Sequence, residues 1–97
     1  MRVADLCKEA HRIAVEKGFY ERDNITVPEL LMLTVTELGE ACEADRCGQF
    51  DKRREEIADV FIRLADTCEY LHIDIEDEIQ KKMEKNKSRP YKHGKRY

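Results

Sequence analysis

Four acids stand out by their spacing. Glu37 and Glu40 lie three residues apart, as do Glu56 and Asp59, and on a helix each such pair shares a face. Carboxylate oxygens suit hard divalent ions, and acids crowded at partly buried positions need a cation to remain ionised together. The chemistry in view is binding of Mg²⁺, or of Mn²⁺ in its place.

Two helices must hold these acids for them to meet. Thr26, Val27, Pro28 and Glu29 form a capping-box pattern with proline in the first turn, so a helix is predicted over 27–47, stopped by Gly48. Asp51 is the expected N-cap of a third helix, with Ile57, Ala58, Val60, Phe61, Ile62, Leu64, Ala65, Cys68 and Leu71 as its apolar set. The link between them is short enough to make antiparallel neighbours, which brings positions 37–40 opposite 56–59. A first helix over 3–17 carries Val3, Leu6, Cys7, Ala10, Ile13 and Ala14 at helical spacing before Gly18. Asp74 with Asp77 reads as the start of a last helix through Ile75, Ile79 and Met83 to about residue 86, and 88–97 as an extended tail after Pro90. No run suits a strand. The expected fold is all-α, a small bundle of about four helices per subunit in a single domain over 1–97.

Glu37 continues the stripe of Leu30, Leu33, Ala41 and Ala44, where a charge is costly without a partner. An apolar surround there would raise its pKa toward that of a useful general base, so Glu37 is the candidate catalytic residue. Glu56 and Asp59 align with Lys52, Arg63 and Asp66 as a polar stripe at the edge of the third helix's core. Two readings of the four acids stand side by side. They are solvated charges paired with nearby lysines, or they converge as the metal ligands Glu37, Glu40, Glu56 and Asp59.

Composition narrows the classes. The chain of 97 residues is 41% apolar, too much for a disordered tail, and 40% charged against a usual value of about 25%. A core that thin hides only about 60–65% of the unfolded surface. The third helix is also apolar around most of its turn, so it is expected to pack on its hairpin partner and on a second subunit, giving a homodimer or homotetramer. No apolar run is long enough for a membrane span and no secretory signal is visible, so a cytoplasmic protein without membrane contact is expected. Cys7, Cys42, Cys47 and Cys68 match neither zinc nor disulfide spacing and read as buried thiols. Residues 81–97 hold eight Lys or Arg against one Glu, while residues 1–80 hold ten basic and twenty acidic residues. An acidic body disfavours nucleic acid, whereas a compact triphosphate arriving with divalent ions fits both signs.

The segments TELGEACEADR (36–46), EEIADVFIRLADTCEYLHID (55–74) and KKMEKNKSRPYKHGKRY (81–97) resemble the MazG-like nucleotide pyrophosphohydrolases of the all-α NTP pyrophosphatase superfamily. The likeness covers about residues 25–97. Glu37 and Glu40 match the second and third acids of the family's EExxE, and Glu56 and Asp59 match its ExxD; Thr36 stands at the first acid, with Glu43 one turn on as a candidate replacement. The resemblance implies Mg²⁺-dependent hydrolysis of a nucleoside triphosphate to monophosphate and pyrophosphate. It also implies that Lys82 and Asn86, on one face of the last helix, contact the nucleotide. Arg89, Lys92, His93 and Lys95 are further candidates for phosphate or base contacts. His11 and His72 read as structural, and Phe19, Tyr20 and Phe50 as packing residues able to stack on a base. Competing readings are a non-catalytic helical module docking nucleic acid or an acidic partner through the basic tail, and an inactive regulatory relative permitted by Thr36.

Overall fold

The computed structural model describes all 97 residues. Four helices follow one another with no strand: α1 Val3–Glu16, α2 Val27–Arg46, α3 Phe50–Tyr70 and α4 Ile75–Lys87. Thr26 caps α2 by accepting a hydrogen bond from the Glu29 N–H, and Asp74 caps α4 by accepting from the Asp77 N–H. Helix α3 departs from expectation. Its N-cap is Gln49, whose side chain makes no capping bond, and Asp51 sits inside the first turn, where its charge faces the helix dipole.

Three helices end alike. Beyond α1, Gly18 has φ +87°, with the Phe19 N–H donating to Ala14 O and the Gly18 N–H to Val15 O. The same pair of bonds closes α2 at Gly48 (φ +69°) and α3 at His72 (φ +57°). His72 thus ends its helix by its own left-handed backbone, not by an imidazole capping carbonyls, and a side chain there carries a steric cost that glycine escapes. The segment after Pro90 is not extended: Tyr91–Gly94 coil into a 3₁₀ turn, with Lys92 and His93 at positive φ.

Helices α2 and α3 form the main hairpin, and α1 packs along α3. On α2 the buried positions are Leu30, Thr34, Glu37, Ala41 and Ala44, a spacing of four and three that keeps one seam against its neighbour. Ala41 and Ala44 let the backbones approach. Cys7, Ala10, Ala65 and Cys68 make the small core between α1 and α3, supported by Val3, Leu6 and Ile75. Cys42 and Cys47 are exposed, contrary to the expectation of four buried thiols, because the seam passes through Ala41 and Ala44 and turns its neighbours outward.

On α3 the inward face inverts the expected one. Glu56 and Asp66 are buried and Asp59, Arg63 and Tyr70 half-buried, whereas Ile57, Phe61, Ile62 and Leu64 are exposed. The polar stripe therefore lies inside the three-helix contact beside the small Ala65 and Cys68, and the large apolar side chains look outward. Only 12 residues are buried, and the radius of gyration of 15.9 Å exceeds the roughly 12.5 Å of a compact chain this long. The chain alone is consequently an open arrangement with large apolar side chains uncovered, and no helix is long and apolar enough to cross a membrane.

Candidate functional site

The inward stripe of α3 meets the seam of α2 at its acids. Carboxylate oxygens of Glu37, Glu56 and Asp59 lie within 4.8 Å of one another. Glu37 and Glu56 are buried there, and Asp59 is half-buried. Glu40, one turn on from Glu37, is exposed and stands outside the triad, yet close enough to Glu56 to share a hydrogen bond when either is protonated. Glu43 does not join them: it pairs with Arg46 and accepts from the Cys47 thiol on the outer face of α2. Thr36 is exposed and donates its hydroxyl to Met32 O. No side chain takes the place of the missing first acid.

The electrostatic consequence falls on Glu56. Its pKa is pushed up to about 7, first by Glu40, then by burial and by Glu37. Its Oε2 is buried and no donor reaches it. A hard cation would relieve this position, and an all-carboxylate oxygen set is what Mg²⁺ or Mn²⁺ takes. The residues present fit such an ion.

Other members of the stripe are provided for. Arg63 Nε donates to Glu37 Oε1 at 3.3 Å, and its guanidinium lies 5.2 Å from the centre of the Phe19 ring. The surround of Glu37 is therefore not the apolar one anticipated from its α2 stripe. Asp66 is held at both oxygens: His11 Nδ1 is 2.8 Å from Oδ1, and the Tyr20 hydroxyl donates to Oδ2 at 2.9 Å. Burial first, and the hydrogen bond to Asp66 second, push the Tyr20 hydroxyl's pKa up. Tyr20 and Tyr70 stack at 4.8 Å and close the far side of this cluster.

Two concavities open on these residues. One, of about 240 Å³, is walled by Ala10, Ile13, Ala14, Phe19, Glu37, Asp59, Ile62, Arg63 and Asp66. The second, of about 180 Å³, lies between the α1–α2 connection and the helices behind it and shares Phe19, Arg63 and Asp66 with the first. A polyanion at the acids thus has an aromatic and apolar recess beside it. The candidates of the last helix and tail are elsewhere. Lys82, Asn86, Arg89, Lys92, His93 and Lys95 are all exposed and line neither concavity, and Arg89 instead meets His93 at 3.0 Å.

Sequence reasoning passed over Arg63, Asp66 and His11 as site residues. Their signal was present in the run 56, 59, 63, 66, 70, which repeats the three-and-four spacing of the α2 seam. A polar stripe with that spacing is a contact face, whatever its polarity.

An all-α hairpin that gathers carboxylates from two facing helices is an arrangement able to hold a hard divalent ion. Residues 26–93 match the family model of the MazG nucleotide pyrophosphohydrolase domain, and the chain belongs to that family. No curated protein and no solved structure gives a significant match.

Proposed function

We propose that the chain is a metal-dependent nucleoside triphosphate pyrophosphohydrolase. It would cleave a ribo- or deoxyribonucleoside triphosphate between the α and β phosphates, yielding the monophosphate and pyrophosphate. The observation that carries this reading is the buried Glu56 oxygen that no donor reaches, faced by Glu37, Glu40 and Asp59. In this reading Glu37, Glu40, Glu56 and Asp59 hold Mg²⁺, or Mn²⁺ in its place. The ion supplies neutralisation of the triphosphate and a lowered pKa for the attacking water. Glu37, on the wall of the larger concavity, has two carboxylate oxygens and takes the water's proton as general base. Phe19, with Ile13 and Ile62 on the same wall, seats the apolar part of the nucleotide.

The basic residues Lys82, Asn86, Arg89, Lys92, His93 and Lys95 complete the phosphate and base contacts in this reading. They reach the acids from a neighbouring subunit or by movement of α4, because none lines the concavities of its own chain. A homodimer or homotetramer is supported by the uncovered Leu31, Met32, Val35 and Leu38 on α2 and Phe61 on α3. Residues 1–97 act as one domain, in the cytoplasm where triphosphates and Mg²⁺ are abundant.

The test is pyrophosphate release from a panel of ribo- and deoxyribonucleoside triphosphates with Mg²⁺ or Mn²⁺. Activity should vanish with EDTA and in Glu56→Gln, and Glu37→Gln should be inactive even at saturating Mg²⁺. Metal binding without pyrophosphate release would select an inactive regulatory relative. Salt-sensitive binding of nucleic acid with no metal requirement would select a docking module built on the tail.

A further inference from the structure

Arg63 stands between the acids and the recess, and its placement is that of a competitor for the metal site. Its Nε reaches Glu37 Oε1 through one long bond of 3.3 Å, leaving four of the guanidinium's five donors free of this acid. No second carboxylate holds it, since Asp66 has committed both oxygens to His11 and Tyr20. Glu37 belongs to the same group of oxygens as Glu56 and Asp59. A divalent ion on those oxygens would carry twice the charge of the guanidinium and would compete with it for Glu37. The side chain remains hinged on the Phe19 ring, 5.2 Å away, in the wall shared by both concavities.

We propose that Arg63 is a phosphate-binding residue parked on Glu37 in the ion-free protein and released to the nucleotide's phosphate chain when a divalent ion occupies the acids. This rests on the pyrophosphohydrolase reading for the identity of the anion. Two observations favour a phosphate as its second partner. Guanidinium geometry suits bidentate contact with phosphate oxygens. Arg22, the other cation bordering these concavities, is already paired with Glu29. Metal and nucleotide binding are thereby coupled: the ion frees the cation that the anion needs, and each tightens the other by the same factor.

The experiment uses the full chain and the variants Arg63→Met and Arg63→Lys, whose folding is checked by circular dichroism. Mn²⁺ alone is titrated by electron paramagnetic resonance. An α,β-methylene nucleoside triphosphate, which cannot be cleaved at that position, is then titrated calorimetrically at saturating Mn²⁺. Arg63→Met is expected to bind Mn²⁺ about tenfold more tightly and the analogue about tenfold more weakly, the size of one lost ion pair of about 1.4 kcal/mol in each step. Arg63→Lys should recover part of the analogue affinity. Unchanged or weaker Mn²⁺ binding in Arg63→Met overturns the proposal, as does unchanged analogue affinity, and Arg63 is then only a structural partner of Glu37. Should the native protein release no pyrophosphate while both titrations shift as stated, the catalytic reading fails and the coupling stands.

Discussion

The crowding of carboxylates makes replacement of Asp59 by asparagine an informative perturbation, because Asp59 has no cation of its own in the cluster. Its oxygen lies within 4.8 Å of oxygens on Glu37 and Glu56. Two unit charges at that separation repel by about 3.5 kcal/mol at an effective dielectric of 20 and by about 0.9 kcal/mol in water. Asp59 is half-buried on the wall of the concavity, so its repulsion with Glu37 falls between those limits. Asp59→Asn should therefore stabilise the ion-free protein by about 1–3 kcal/mol at pH 8. For a domain of this size each kcal/mol moves Tm by about 4–8 °C. With Mg²⁺ at a hundred times its Kd, the native protein should gain about 2.7 kcal/mol by linkage, and the variant should gain little. Thermal melts followed by circular dichroism, at one protein concentration in EDTA and in Mg²⁺, give four numbers. The expected order reverses: the variant melts higher in EDTA and the native chain closes or overturns the gap in Mg²⁺. A variant that melts lower in EDTA, or that gains as much from Mg²⁺, refutes the premise that these acids strain one another until an ion arrives.

Glu56, held near pH 7 when folded and near 4.5 when unfolded, contributes stability that is complete below about pH 4.5 and lost as pH rises through 7. The ion-free Tm should fall between pH 5 and pH 8, Glu56→Gln should flatten that slope, and saturating Mg²⁺ should restore the native chain at the alkaline end. Asp66→Ala leaves His11 and Tyr20 without their shared acceptor and should cost about 3 kcal/mol in urea unfolding, with Tyr20→Phe losing less. A loss under about 1 kcal/mol for Asp66→Ala would mean the cluster is bystander geometry. His72→Gly places the permissive residue at φ +57° on an exposed turn and should raise stability by about 1 kcal/mol, whereas a drop would show that the imidazole matters to the end of α3.

Much of the helical frame was legible because its signals are local. Thr26 with Glu29 and Asp74 with Asp77 mark starts through a side chain bonding to a backbone three residues on, and Gly18 and Gly48 mark stops through a backbone angle that other residues resist. Asp51 misled for the same reason in reverse: an acid just inside a helix and an acid capping it look identical in sequence, and Gln49 caps without a side-chain bond. His72 was hidden because a non-glycine left-handed residue leaves no compositional trace.

The spacing of Glu37, Glu40, Glu56 and Asp59 and the brevity of the link at 47–49 were enough to put two pairs of acids on facing helices, since helical period and turn length are fixed by the chain alone. Which way α3 turned was not. The apolar set along the helix is larger than the polar stripe, yet the polar stripe faces inward, because Arg63 could reach Glu37 and Asp66 could find His11 and Tyr20 from helices and loops far off in sequence. Nor could sequence separate Glu40 from the triad, since the exposure of one helical turn against the next depends on the neighbour's tilt. Pairings between residues 26 and 55 positions apart are decided by packing, and packing left Glu56 facing only other acids.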